Sequence, residues 1–124
     1  MADTLTDLLR DELLLARRAG DRAVAAALRT TLAALSNAEA LPVDERPVSG
    51  GSEHIAGARL GVGAAEAARR ELTDADRHRV VRAEIASIED AARIYDGPDP
   101  GRAEEARRGA IRLVGILDQL GTAQ

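Results

Sequence analysis

An apolar stripe recurring at three- and four-residue steps over residues 21–41 is the feature that most limits what this chain can become. In DRAVAAALRTTLAALSNAEAL, Val24, Leu28, Thr31, Leu32, Leu35 and Ala38 fall on one face of an α-helix. Alanine fills most of the other positions and has the highest intrinsic helix propensity, so local and tertiary preferences agree. Asp21 is a good N-cap, and Pro42 forbids continuation. The spacing predicts a helix over 21–41, and its apolar face needs other helices to cover it.

Those helices are legible on either side. Over residues 4–19, Leu5, Leu8, Leu9, Leu13 and Ala16 form a stripe that Leu14 and Leu15 widen. Asp3 or Thr4 can cap this helix, Asp7 suits its first turn, and Arg17 and Arg18 suit its last. Gly20 sits where a left-handed C-cap is favoured, immediately before Asp21, so the first two helices are expected to form an antiparallel hairpin. A third helix over 74–96 carries Val81, Ile85, Ile88, Ala92 and Tyr95, with Thr73 and Asp76 placed as a capping box. In the turn GPDPG, Asp99 is the expected N-cap and Pro100 the first residue of a fourth helix over 100–120. Its stripe is Ala103, Ala106, Ala110, Leu113, Leu117 and Leu120.

Between the two pairs, residues 42–72 hold Pro42, Pro47 and the glycines at 50, 51, 57, 61 and 63, with few apolar residues among them. The expected fold is all-α, a single domain over 1–124: two antiparallel helical hairpins packed as a four-helix bundle and joined by a long Gly/Pro-rich loop over 42–72.

Composition narrows the function. The 124 residues suffice to bury roughly two thirds of the unfolded surface. The core must be built from Leu, Ile, Val and Ala, because Phe and Trp are absent, and dimerisation is an easy way to add burial. All 17 basic residues are Arg, but the net charge is −4 and no basic block exists to attract nucleic acid by counterion release. Without cysteine there is no disulfide framework or thiolate chemistry. The start MADTLTDLLRDE lacks the pattern of a signal peptide, and no apolar run reaches membrane-spanning length. A cytoplasmic protein without a membrane role is expected.

No catalytic residue, metal site or cofactor is expected. His54 and His78 have no second His or Cys at ligand spacing. Ser52 and His54 have no acid placed to orient them. The glycines of GARLGVGAAE fit neither phosphate-binding pattern, and no Lys accompanies them. Tyr95 alone makes no base-stacking platform. Glu39 is the outlier: on a helical wheel it falls inside the apolar stripe, where a carboxylate needs a partner, and Arg10 is the candidate.

Two stretches carry a family resemblance. LLRDELLLARRAGDRAVAAALRTTLAALSNAEA, residues 8–40, has the two-helix layout and the spacing of Arg29 from Asn37, Ala38 and Glu39 found in the YqeY family. RRELTDADRHRVVRAEIASIEDAARIY, residues 69–95, is also similar to that family. These proteins are stand-alone relatives of the helical region in the GatB subunit of tRNA-dependent amidotransferase. The resemblance covers about half of the chain. It implies a helical fold and a context in aminoacyl-tRNA metabolism, with Arg29, Asn37 and Glu39 as candidate binding residues. Family members continue beyond the fourth helix through a Tyr-Leu-Pro turn into a small tail domain, which is expected to be missing here because Gln124 follows soon after Leu120. They also carry basic and amide side chains in the middle of the third helix, where this chain has Ala86, Ser87 and Ile88. The expected function is therefore non-enzymatic binding or scaffolding. A protein partner or self-association is favoured over nucleic acid, and the alternative is an accessory factor in tRNA-dependent amidation that binds tRNA or an amidotransferase complex.

Overall fold

The computed structural model describes residues 4–40 and 71–123, and nine tenths of these are helical, with no strand among them. The elements are α1 (Thr4–Ala19), α2 (Arg22–Ala40), α3 (Asp74–Tyr95) and α4 (Pro100–Ala123). Each expected helix is present, and α4 runs three residues further than its apolar stripe predicted. The expected loop lies outside the described residues except for its end. There Leu72 is 7% exposed and belongs to the core, so burial begins before α3 does.

The helix ends follow from capping chemistry. Gly20 adopts φ 73°, the left-handed region, and ends α1 in a Schellman motif. Its N–H donates to the Arg17 carbonyl at 3.1 Å, and the Asp21 N–H donates to the Ala16 carbonyl at 2.9 Å. Asp21 then caps α2 by accepting the Val24 N–H at 3.2 Å. The capping box at α3 is complete: the Asp76 N–H donates to Thr73 Oγ1, and the Thr73 N–H donates to Asp76 Oδ2, both at 3.0 Å. Asp99 caps α4 by accepting the Arg102 N–H at 3.2 Å, with Pro100 in the first helical position.

These helices pack as a bundle whose most extensive contact is between α3 and α4. Helix α2 contacts all three others, and α4 likewise touches α1, α2 and α3. The core is built from Leu5, Leu9, Val24, Leu28, Leu35, Val81, Ile85, Leu113 and Ile116, with small residues between them. Thr31 is fully buried at the centre, and its hydroxyl donates to the Ala27 carbonyl at 2.8 Å, which satisfies the donor without a partner helix.

Two expectations about helix faces fail in opposite directions. Leu14 and Leu15 do not widen the α1 stripe; they are 51% and 56% exposed. Helix α1 packs mainly on α2, so only a narrow face is covered. Ile116 lies off the expected α4 stripe yet is 1% exposed, because α4 has neighbours on three sides.

Candidate functional site

The three residues singled out by sequence lie on two sides of α2. Arg29 and Asn37 are exposed, about 80° apart on the helix, along an outward line of small side chains that includes Ala26, Thr30 and Ala33. Glu39 is half-buried near the end of α2, one turn beyond Leu35. Arg10, the side chain expected to meet it, is exposed and lies 3.8 Å from Asp7 on its own helix.

A concave feature lies elsewhere, along the open side of α3 and α4, and sequence reasoning did not find it. A groove of about 850 Å³ runs between these helices. Its floor is Ile85, Val114 and Leu117, and its rim carries His78, Arg82, Glu89 and Asp118. A second hollow continues it past Glu89 to Arg93, Arg107, Ala110 and Ile111. The floor is apolar because the apolar face of α4 is wider than its neighbours cover: Val114 is 39% exposed, and Ile111, in the second hollow, 69%. The sequence signal was present as the four- and three-residue steps from His78 through Arg82, Ile85 and Ala86 to Glu89. It could not be read as a surface until α4 was placed alongside.

The ionic groups sort into two kinds. Some tie elements together. Arg108 donates to Asp21 at 2.8 Å, fastening α4 to the junction of α1 and α2. Arg112 reaches Glu12 of α1 at 3.7 Å. Arg107 donates to Asp96 at 2.7 Å, across the α3–α4 turn. The hydrogen bond from Arg108, with that from the Val24 N–H, holds the Asp21 carboxyl below the usual aspartate range. Arg107 does the same for Asp96. Both guanidinium groups shift upward in return, chiefly through the same hydrogen bonds.

The other kind lies along single helices: Arg77 with Asp74, Arg79 with Asp76, and Arg93 with Asp90. The pairs of the exposed Arg79 and Arg93 are worth about 0.2–0.5 kcal/mol each, whereas Arg77 is largely buried and also donates to the Leu72 carbonyl at 2.8 Å. Arg82 and Glu89, on the groove rim, make neither a hydrogen bond nor an ion pair among the described residues.

A third hollow, about 500 Å³, lies where α2 meets α3 and α4 and is lined mostly by small residues, among them Ala23, Ala26, Ala27 and Gly109. At its end the Arg102 guanidinium stacks over the Tyr95 ring, 5.2 Å from its centre. Among the described residues no three His, Cys, Asp or Glu side chains converge as a metal site would require, and no helix is long and apolar enough to cross a membrane. His54, Ser52 and the glycine-rich GARLGVG stretch lie outside the described residues. Comparison with protein-family models, curated proteins and solved structures gives no match.

Proposed function

We propose that this chain is a non-enzymatic helical binding or scaffold protein of the YqeY-like class, whose two antiparallel hairpins pack as a four-helix bundle. The observation that carries the reading is the α3–α4 groove, with an apolar floor at Ile85, Val114 and Leu117 and an ionic rim along its length. An open surface of that kind suits a macromolecule laid across it better than a small substrate enclosed within it. The helical pair over 8–40 supports the family reading by its resemblance.

A protein occupant is favoured over RNA on charge. Arg93 and Arg107 bind Asp90 and Asp96, the charge of Arg82 is balanced on the same rim by that of Glu89, and the whole chain is acidic. The second reading, an accessory factor in tRNA-dependent amidation, rests on the residues at 8–40 and 69–95 that resemble the family. Two measurements separate the readings. Capture from native extract with the intact chain as bait should recover a protein partner or further copies of the chain. Binding of bulk tRNA at two salt concentrations should show no salt-dependent affinity. Salt-dependent tRNA binding would overturn the first reading in favour of the second.

A further inference from the structure

We propose that the α3–α4 groove is occupied by the same groove of a second copy, in a two-fold dimer centred on α3. This deepens the reading of that surface as the binding face and names its occupant. The argument is charge complementarity of the face with itself. Arg82 and Glu89 both stand on the rim of the groove, two helical turns apart on α3. Neither is neutralised within the described chain, although the other charged residues on that side of α3 and α4 include pairs such as Arg93 with Asp90 and Arg107 with Asp96.

A closed dimer interface is isologous: if one residue meets a second across the axis, the second meets the first. An antiparallel crossing of α3 on its copy, with the axis midway between residues 82 and 89, satisfies that condition. Arg82 of each protomer then faces Glu89 of the partner subunit, twice. The axis falls between Ile85 and Ala86. Ala86 is exposed, lines the groove and carries only a methyl group, so the two α3 helices can approach closely there. The flanking Val114 and Ile111, which a lone chain leaves in water, are brought toward apolar cover. A core without Phe or Trp gives this added burial a reason.

The test is sedimentation of the full chain over a roughly hundredfold concentration range, with the parent, Arg82→Glu, Glu89→Arg, the double exchange and Ala86→Arg. The parent should dimerise. Each single charge reversal creates two like-charge contacts and should weaken the dimer by about tenfold or more. The double exchange restores opposite charges and should return the affinity to within about threefold of the parent. Ala86→Arg should abolish dimerisation while leaving the circular dichroism of the monomer intact, since the site is exposed. A parent that stays monomeric at every concentration overturns the proposal. So does a dimer indifferent to the single reversals, or one that the double exchange fails to restore. Capture of a different protein by a monomeric parent would leave the binding reading standing while removing the second copy as the occupant.

Discussion

Gly109 of α4 lies directly on Ala27 of α2: a β-carbon built on the glycine would stand 2.8 Å from the Ala27 β-carbon and 3.6 Å from the Ala23 carbonyl oxygen. The first distance is inside van der Waals contact, and neither atom can swing away, because both belong to or hang directly from helical backbone. The absence of a side chain at 109 therefore sets how closely α4 approaches α2. Gly109→Ala gains up to about 1 kcal/mol of helix propensity but overpacks the contact by about 1–3 kcal/mol. A net loss of stability is expected in urea unfolding, and Ala27→Gly in the same chain should recover part of it. A single Gly109→Ala variant more stable than the parent would show that the helices part without cost.

Leu28 is fully buried in the core, with no exposure at all. Leu28→Ala should lower the unfolding free energy by about 2–5 kcal/mol, the span depending on how far the neighbours collapse into the void. Leu28→Asp places a carboxylate there with no designated partner and should prevent folding, read as loss of helical circular dichroism. Retention of the parent melting temperature by the Asp variant would refute the packing of α2.

Stability should fall on the acid side, and Asp21 and Asp96 supply part of the cause. Their carboxyls are held below the usual range in the folded chain by Arg108 and Arg107. Above the ordinary aspartate value of about 3.9 both states are ionised and the contribution is complete. As pH drops below that value the unfolded chain takes up protons first, so stability declines until the folded carboxyls are protonated too. Asp21→Asn keeps a capping oxygen for Val24 but loses the charge facing Arg108. Its melting temperature should depend less on pH below 4 (about the unfolded value) than the parent's does. Identical acid limbs for the two proteins would dismiss the Asp21–Arg108 pair as a contributor.

Glu39 separates a structural from a binding role. It is half-buried at the end of α2, whereas Arg29 and Asn37 are exposed. Arg29→Ala and Asn37→Ala should leave stability within about 0.5 kcal/mol of the parent. Glu39→Gln should cost stability, and Glu39→Leu should cost less, because leucine fills similar space without needing a partner. Melting curves and partner capture on the same variants decide the matter. Capture lost from a Glu39 variant as stable as the parent would assign the residue to binding instead.

The helices and their ends were determined by the sequence alone, because capping and periodicity act within a few residues. The Gly20–Asp21 junction, the Thr73–Asp76 box and the Asp99–Pro100 start each depend on groups three to five positions apart, and each is present. The central positions of each stripe, Leu9, Leu28, Val81 and Leu113, were legible for the same reason. How wide each buried face is was decided only by tertiary packing. Leu15 stays exposed because α1 has few neighbours, and Ile116 is buried because α4 has three. The candidate surface is of that second kind. Arg82, Glu89, Val114 and Leu117 come from different helices, and the sequence holds no local signal that α3 and α4 leave a common side open. The Asp21–Arg108 bond joins residues 87 positions apart, so nothing short of the folded chain could have paired them.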